Sequence, residues 1–432
     1  MVTKIRDNPL ISLALLKRPL AGLRLCTLAL ALMPVAAAPL PAAANTAAAR
    51  SQSEFPVATD AKLEQTGDTV RLTMALSRPV DLTASLIAGP DRVVVDLPSV
   101  NFQVQPKAAK QSAGFVSAFR FGLFTADRSR IIIDLSHPAL IAKAEVRSVR
   151  GGFGELVVEL KRTSRAEFQA AIARNPAIDP QVTAAIPVPA KPPGETRPTI
   201  VIDPGHGGID PGAVVDSVME KGVVLSFGTL LKERIEADGR FRVVMTRDDD
   251  RFIALNQRVQ LAREAGAALF ISIHADSLTR AQEVRGATVY TGSERATDAE
   301  AARLAAKEND ADAVAGLETS ENLQDVAGIL MDLAKRETRG FSAAFARNLA
   351  ESLGGSIRMH KVPLRSAGFR VLSAPDVPSV LIELGYMSSP KDAALLNSAE
   401  WQNKAVGAVK FAIDGHFQRE RAASGRAAQN SR

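Results

Sequence analysis

Four side chains that can bind a metal ion or move a proton stand in separate segments of the sequence. His206 lies in Asp-Pro-Gly-His-Gly-Gly, directly after an apolar strand-like run, and His274 ends a second apolar run. Glu383 lies inside the run Val-Leu-Ile-Glu-Leu, and Glu220 stands at the start of a helical pattern. Two histidines and two glutamates suffice for a catalytic zinc site, in which three residues bind the ion and a water takes the open position. The remaining carboxylate can then act as a general base.

Each of these residues also has an ordinary explanation when it is taken alone. A histidine after a strand is often a satisfied surface or core residue, and Glu220 can be a helix N-terminal carboxylate favoured by the helix dipole. Glu383 is harder to explain in this way, because an acid within a run of Val, Leu and Ile is costly to bury without a partner. The coincidence of all four side chains therefore favours a single site.

Such a site requires a scaffold that brings the ends of separate strands together. Downstream of residue 198 the sequence alternates between strand-like and helix-like segments, which predicts an α/β fold with a sheet flanked by helices on both faces. Ligands in such folds sit at the carboxyl ends of the strands. We predict strands at 200–203, 241–246, 268–273, 287–291, 368–372 and 379–384, and helices at 220–237, 254–265, a long region ending near 353, and 393–417.

The preceding part of the chain has a different pattern. Residues 55–162 alternate apolar and polar residues in short runs, which predicts a smaller all-β domain. Two runs in it, Asp-Arg-Val-Val-Val-Asp-Leu from residue 91 and Ser-Arg-Ile-Ile-Ile-Asp-Leu from residue 129, lie 38 residues apart and predict two similar β layers. A proline-rich linker at 175–198 separates this domain from the α/β domain at 199–417.

The first 44 residues have the pattern of a secretory signal peptide. Basic residues precede a short apolar run, and small residues follow as far as Ala44, after which we expect cleavage. The run is too short and too rich in proline to span a bilayer comfortably. We therefore expect a periplasmic protein with no stable membrane span. At the other end, residues 418–432 are expected to form a disordered tail.

Composition excludes two other kinds of chemistry. The chain carries a net charge of +6, but residues 1–44 hold five basic residues and one acid, which leaves about +2 for the mature protein. This charge does not indicate a nucleic-acid partner. The only cysteine, Cys26, lies in the signal segment. A metal site in the mature protein must therefore use His, Asp or Glu.

Four motifs resemble those of a known enzyme family, the zinc-dependent N-acetylmuramoyl-L-alanine amidases of bacterial cell division. The motifs are Asp-Pro-Gly-His-Gly-Gly at 203–208, Glu-Lys at 220–221, Ser-Ile-His-Ala-Asp at 272–276 and Glu-Leu-Gly-Tyr-Met-Ser at 383–388. The resemblance covers residues 199–417. The β-rich region at 55–162 resembles the AMIN domain, which often precedes this catalytic domain and targets it to peptidoglycan or to envelope assemblies.

The resemblance implies a cofactor, a substrate and roles for the four residues. Zn²⁺ would be bound by His206, Glu220 and His274, and Glu383 would be the catalytic acid/base. The enzyme would hydrolyse the amide bond between N-acetylmuramic acid and L-alanine in peptidoglycan, for septal wall splitting and daughter-cell separation. Two alternatives stay open: another zinc peptidase or carboxypeptidase of the envelope, and a non-catalytic scaffold that binds peptidoglycan.

Residues 293–337 are long for a connection within a compact α/β domain. Thr-Asp-Ala-Glu at 297–300 is a capping box that predicts a helix running through Glu308 and Asp312. The amidases that the chain resembles carry an autoinhibitory helix here, which activators with LytM-type domains displace. An acid on such a helix can occupy the open zinc position, and Glu308, between Lys307 and Asn309, is our candidate for that acid. The alternative is a simple lid. A second helix is predicted to present an apolar stripe at Leu323, Val326, Leu330 and Leu333.

Overall fold

The computed structural model describes residues 55–104, 111–125, 127–174, 188, 190–277, 283–317 and 329–430. The expected signal peptide with Cys26, most of the proline-rich linker and the side chains of the predicted apolar stripe lie outside this description. Within the described ranges, no helix is both long and apolar enough to cross a membrane.

Residues 55–162, called the β domain below, fold into two sheets. Their strand orders are β5-β1-β2-β9-β8 and β3-β4-β7-β6. One core lies between the sheets and takes Val70 and Leu72 from one and Val93 and Val95 from the other, because alternate residues of each strand point inward. The strands are β1 Val57–Thr66, β2 Thr69–Leu76, β3 Thr83–Ile87, β4 Arg92–Pro98, β5 Asn101–Phe102, β6 Val116–Thr125, β7 Arg128–Leu135, β8 Ala139–Val149 and β9 Phe153–Arg162.

The two similar runs of the β domain become neighbouring strands. The prediction that they occupy separate layers is wrong, because β4 and β7 pair antiparallel within one sheet. Their uninterrupted apolar cores fit this position: Val93 and Ile131 face the core between the sheets, whereas Val94 and Ile132 belong to a second apolar cluster on the other face. A strand that is buried on both faces reads as a continuous apolar run.

The C-terminal domain is built on a six-stranded sheet of order β13-β10-β14-β17-β15-β16. Only β15 and β17 pair antiparallel among these neighbours. Strands β11 and β12 form a small hairpin outside the sheet. The strands are β10 Thr199–Pro204, β11 Val214–Val215, β12 Val218–Met219, β13 Arg242–Met245, β14 Ala267–His274, β15 Ala287–Gly292, β16 Met359–Ala367 and β17 Ser379–Glu383.

Helices cover both faces of this sheet, so the predicted α/β architecture with a preceding all-β domain is confirmed. Helices α2, α6 and α8 pack on one face with Phe227, Phe345 and Val406, and α3 and α4 pack on the other with Leu261 and Leu304. The helices are α1 Arg165–Arg174, α2 Glu220–Glu236, α3 Leu255–Glu264, α4 Ala299–Asn309, α5 Ala311–Val314, α6 Ile329–Gly354, α7 Pro390–Leu396 and α8 Ala399–Asn430. Helix α1 was not predicted from the sequence.

The strand predicted at 368–372 is wrong. The edge strand is β16, Met359–Ala367, and Arg370–Leu372 form a turn of 3₁₀ helix. Val371 and Leu372 are apolar because they pack between α3 and the sheet, and burial in a turn gives the same short apolar run as a strand.

The predicted single helix at 393–417 is two helices. Asn397 ends α7, and its side-chain amide donates to the Ala393 carbonyl. Ser398 then starts α8, since its hydroxyl accepts from the Trp401 amide. The expected disordered tail at 418–432 is also wrong as far as Asn430, where α8 ends. The sequence there is rich in Ala, Arg and Gln and has no proline to stop the helix.

Candidate metal centre

Three of the predicted site residues meet at the carboxyl ends of β10 and β14. Glu220 Oε1 lies 3.1 Å from His206 Nε2 and 3.3 Å from His274 Nδ1. All three side chains are buried, and neither of these ring nitrogens has a hydrogen-bond partner among the described residues. A buried polar atom without a partner is rare in proteins and marks a place where something else binds.

This arrangement fits a zinc ion. Two ligands at about 2.0–2.2 Å from a tetrahedral zinc lie roughly 3.3–3.6 Å from each other. The observed separations between Glu220 and the two histidines are close to that range, and the ligand atoms of all three residues lie within 4.8 Å of one another. Two imidazoles and a carboxylate are also a donor set that zinc accepts.

The loop after β10 holds His206 in an uncommon backbone conformation. His206 has a φ of 59°, in the left-handed region that non-glycine residues rarely adopt. The conformation is fixed because Arg258 Nη2 donates to the His206 carbonyl at 2.7 Å. The preceding Gly205 is needed for space, since a Cβ there would lie 2.4 Å from Cε1 of His274. Gly205 thus leaves room for the His274 ring beside the loop that carries His206.

Neighbouring groups orient the side chains of His206 and Glu220. His206 Nδ1 donates to Asp210 Oδ2 at 2.8 Å, which directs Nε2 toward the centre. Glu220 accepts from the backbone amides of Ala213 and Ala275, each at 2.8 Å. Asp210 was not recognised from the sequence. Its position four residues after His206, in the same glycine-rich loop, was the available signal.

Glu383 ends β17, directly beside His274 in the sheet register. Its Oε2 accepts from the Asp276 amide at 3.0 Å, whereas Oε1 is buried without a hydrogen-bond partner. Burial, followed by the negative charges of Asp276, Glu220 and Glu308, raises the pKa of Glu383 well above the usual range. A carboxyl group with a raised pKa can both accept and return a proton near neutral pH.

Comparisons with known proteins agree with this geometry. The pattern of the N-acetylmuramoyl-L-alanine amidase family matches residues 200–415, and the AMIN domain pattern matches residues 60–151. The amidase AmiC of Neisseria meningitidis is 32% identical over 84% of this chain and 90% of its own length. The chain belongs to the N-acetylmuramoyl-L-alanine amidases.

Other amidases are similar over part or most of the chain. AmiC of Escherichia coli is 32% identical over 80% of this chain and 86% of its own length. The solved structure of AmiC2 of Nostoc punctiforme aligns at 28% identity and a TM-score of 0.39, covering 52% of this chain and 99% of that one.

The centre of this amidase attracts positive charge. Burial disfavours a charged His206, but Asp210, Glu220 and Glu308 outweigh burial and raise the pKa of His206 well above its usual value. Burial likewise opposes the charged form of Glu220, but His206 and His274 hold its pKa well below the usual range. The same electrostatic field favours a metal cation, which would replace the proton on the imidazole.

A buried ionic network supports the loop after β10, which carries His206. Asp203 accepts from Arg258 Nη1 and Thr246 Oγ1, each at 2.7 Å, and from Ser272 Oγ at 2.8 Å. Arg247, which is fully buried, donates to the carbonyls of Pro204 and Gly205.

These supporting residues were not recognised from the sequence. The signal for Arg258 was available, because it falls on the apolar face of α3 between Leu255 and Leu261. A charge on such a face needs a buried partner, by the argument that marked Glu383.

The helix of the insertion carries Glu308 into the amidase centre. Glu308 Oε2 lies 3.4 Å from His206 Nε2 and 3.2 Å from His274 Nδ1, and the side chain is buried. Lys307, on the same turn, pairs with Asp276. These contacts place a second carboxylate against the two ring nitrogens that Glu220 also approaches.

Two details of the predicted insertion helix differ. The capping residue is Asp298 and not Thr297, because Asp298 accepts from the Ala301 amide at 2.9 Å while Thr297 bonds to Ser366. The helix also stops at Asn309, so that Asp312 lies on the separate short helix α5.

Proposed function

We propose that this chain is an exported, zinc-dependent amidase that cuts the bond between N-acetylmuramic acid and L-alanine in peptidoglycan. Its membership of the amidase family gives the reaction. The observation that supports a metal mechanism is the meeting of His206, Glu220 and His274, with two ring nitrogens that have no hydrogen-bond partner among the described residues.

His206, Glu220 and His274 would hold the ion. Zinc supplies a Lewis acid for the scissile carbonyl and lowers the pKa of a water that it binds. Asp210 keeps His206 Nε2 free to bind, because it accepts the proton of Nδ1. The backbone amides of Ala213 and Ala275 hold the Glu220 carboxylate in place.

Glu383 would move the proton. Its unpartnered Oε1 can accept a proton from the attacking water, and the same carboxyl group can then give a proton to the nitrogen of the departing L-alanine. The hydrogen bond from the Asp276 amide to Oε2 fixes the carboxylate and leaves Oε1 for this transfer. The bond between the lactyl carbonyl and the amine breaks, and the stem peptide leaves the glycan.

The proposed setting is the periplasm at the division septum. Residues 1–44 would direct export, and the AMIN domain would bring the enzyme to the wall or to an envelope assembly. The mature chain would then split the septal wall, with an activator protein of the LytM type as its partner.

Glu308 would restrain the enzyme until that partner acts. Its Oε2 lies about as close to the two histidine nitrogens as Glu220 Oε1 does, so it would compete with a substrate or a water for an ion held there. An exported wall hydrolase that is always active would lyse the cell, which gives such a restraint a purpose.

The reaction is tested by the mass of the products that the purified protein releases from intact sacculi, with and without zinc. Free stem peptides that begin with L-alanine, released only with zinc, support the amidase. Loss of a terminal amino acid from stems that remain on the glycan would instead indicate a carboxypeptidase. Binding of sacculi without any product would indicate a scaffold.

The restraint is tested by Glu308→Ala in the zinc-loaded protein. We expect severalfold faster hydrolysis of sacculi, because the open coordination position is no longer occupied. Arg303→Ala is the matched control, since Arg303 is exposed on the same helix. An unchanged or slower rate in a folded, zinc-loaded Glu308→Ala protein would remove the inhibitory role and leave α4 as a lid.

A further inference from the structure

One face of the β domain carries three arginines that are already paired with acids. The antiparallel register of β4 and β7 places Arg92 opposite Asp134 and Arg130 opposite Asp96. Arg130 bonds to both oxygens of Asp96 at 2.6 and 2.9 Å, and Arg92 Nε donates to Asp134 at 3.0 Å. Arg120, on β6, bonds to both oxygens of Asp134. Arg92, Asp96, Arg130 and Asp134 are charged residues that flank the apolar cores of the two similar runs of the sequence, whereas Arg120 lies outside those runs.

Each of these guanidinium groups has a further N–H, and all three point at the same short piece of chain. Arg120 Nε donates to the Val314 carbonyl at 2.9 Å, and Arg130 Nη1 donates to the Ala315 carbonyl at 3.1 Å. Arg92 donates to the carbonyl of Ala313, the residue before Val314. The last carbonyls of a helix lack intrahelical partners and carry partial negative charge, so a cation stabilises them.

Apolar contacts complete the fit between the β domain and the end of α5. Ala315 is fully buried in a cluster to which the β domain contributes Ile87, Val94, Phe124 and Ile132. The next residue, Gly316, lies so close to the sheet that a Cβ would be 2.8 Å from Ile132 Cδ1. This face of the β domain therefore fits residues 313–316 in one backbone conformation, in which three consecutive carbonyls meet three arginines.

The piece of chain that is held in this way directly follows the helix that bears Glu308. Asn309 Nδ2 donates to the Gly368 carbonyl and Asn309 Oδ1 accepts from the Arg370 amide, each at 2.8 Å. Asp312 Oδ1 accepts from the Leu255 amide. The C-terminal end of the Glu308 helix is thus fixed to the catalytic domain on one side and to the β domain on the other.

We propose that the arginine face of the β domain is an intramolecular docking surface for residues 313–316 and that this docking keeps Glu308 in the metal centre. The proposal rests on the restraining role of Glu308 given above. It assigns a task to the Arg and Asp residues of the two similar runs: the acids orient the guanidinium groups, and the remaining N–H groups hold the insertion. The β domain is then part of the inhibitory device as well as a means of targeting.

The test uses the full chain, loaded with zinc, in which Arg92, Arg120 and Arg130 are all replaced by Lys. Lysine keeps the positive charge beside Asp96 and Asp134 but lacks the fork that reaches the acid and the carbonyl together. Arg71→Lys is the matched control, since Arg71 pairs with Glu159 across strands of the other sheet.

Hydrogen exchange of the peptide that spans residues 299–317 reports the docking without any use of activity. The Val314 amide donates to the Asp310 carbonyl and the Ala315 amide to the Ala311 carbonyl, so their exchange slows when this turn is held in place. We expect exchange at least about tenfold faster in the triple variant and unchanged in Arg71→Lys. Hydrolysis of sacculi should rise severalfold in the triple variant, and Glu308→Ala should add nothing further to it.

A second variant approaches the contact from the insertion side. Gly316→Val places a branched side chain against Ile132 and should have the same two effects while every arginine is kept. Thermal unfolding of both variants confirms that the β domain still folds.

The outcomes separate this proposal from the proposed function on which it rests. Unchanged exchange in both folded variants overturns the docking. Faster exchange with an unchanged rate of hydrolysis, in a protein where Glu308→Ala alone raises the rate, also overturns it and leaves the restraint by Glu308 standing. If Glu308→Ala does not raise the rate, the restraint itself fails, and a lack of stem-peptide release by every variant removes the amidase reaction.

Discussion

The β domain and the catalytic domain both place polar or charged side chains on a sheet, but the two domains differ in how completely these side chains are hydrogen-bonded. In the β domain, Arg92, Arg120 and Arg130 are all bonded to acids or carbonyls. Its described residues include no buried side-chain nitrogen or oxygen without a hydrogen-bond partner. In the catalytic domain, His206 Nε2 and His274 Nδ1 have no such partner within the described chain.

This difference separates two uses of a buried polar group. A group whose hydrogen bonds are satisfied fixes the chain, and its removal costs stability because a partner is left alone. A buried polar group without a hydrogen-bond partner destabilises the folded protein. At a functional site it is kept because it binds a ligand or takes part in the reaction. Substitutions should therefore affect either the chemistry or the fold, according to which kind of group they remove.

The largest expected effect is the loss of the metal. His206→Ala and His274→Ala each remove one of the three proposed ligands, so the variants should lose both zinc and hydrolysis of sacculi while they remain folded. Elemental analysis and thermal unfolding measure the two properties. His137→Ala, at an exposed histidine of the β domain, is the control. Full zinc occupancy in either ligand variant would falsify the assignment.

Glu383→Gln should keep the zinc and lose most of the turnover. The amide cannot accept the proton, and the loss of a general base typically slows a reaction by about 10²–10⁴-fold. Zinc content and the rate of stem-peptide release are measured on the same preparation. If the variant loses its zinc, Glu383 is a ligand and Glu220 becomes the candidate base.

Asp203→Asn tests a satisfied group that lies close to the centre. It removes the negative partner of Arg258 within a fully buried pair, so we expect a loss of about 3 kcal/mol in the free energy of unfolding. Asp376→Asn is the control, because its pair with Arg263 is about half exposed and should contribute less than about 1 kcal/mol. Urea unfolding distinguishes the two, and equal small losses would contradict the comparison.

The pH dependence of the Asp203 effect has a definite sign. Burial opposes ionisation, but Arg258 and the two hydroxyl donors outweigh it and lower the pKa of Asp203 below the ordinary value of about 3.9. A carboxylate with a lowered pKa contributes stability above pH about 4, and that stability is lost as the pH falls through its folded value. The difference in unfolding free energy between wild type and Asp203→Asn should thus stay constant from pH 7 to 5 and shrink only below about 4. A decrease already at pH 6 would point to another group.

Sequence patterns predicted the residues that meet at the centre because these residue types are unusual in their local sequence. His206 interrupts a glycine-rich turn and Glu383 an apolar strand, and the alternation of strands and helices gives them a common sheet edge. The supporting contacts were harder to foresee. Arg247 donates to four backbone carbonyls, and three of them, those of Pro204, Gly205 and Lys221, are far away in the sequence. No local pattern specifies such partners.

The misplaced elements have a similar cause. Either residues 368–372 or β16 could form the edge strand of the sheet, and only the pairing of β16 with β15 decides between them. The two similar runs of the β domain predicted a relationship between β4 and β7, but a repeat in sequence does not say whether its copies pair with each other. Register and partner choice are set by the whole sheet.

The apolar cluster that joins the two domains has a practical consequence for solubility. It combines Ile87, Val94 and Ile132 of the β domain with Ile209 and Phe252 of the catalytic domain. A truncated protein that begins after the proline-rich linker would expose Ile209 and Phe252 to water, and Ile209 belongs to the same loop as His206. Contiguous exposed apolar surface promotes self-association. The isolated catalytic domain should accordingly aggregate at concentrations at which the full chain stays dispersed, and polar replacements at these two positions should restore its dispersion.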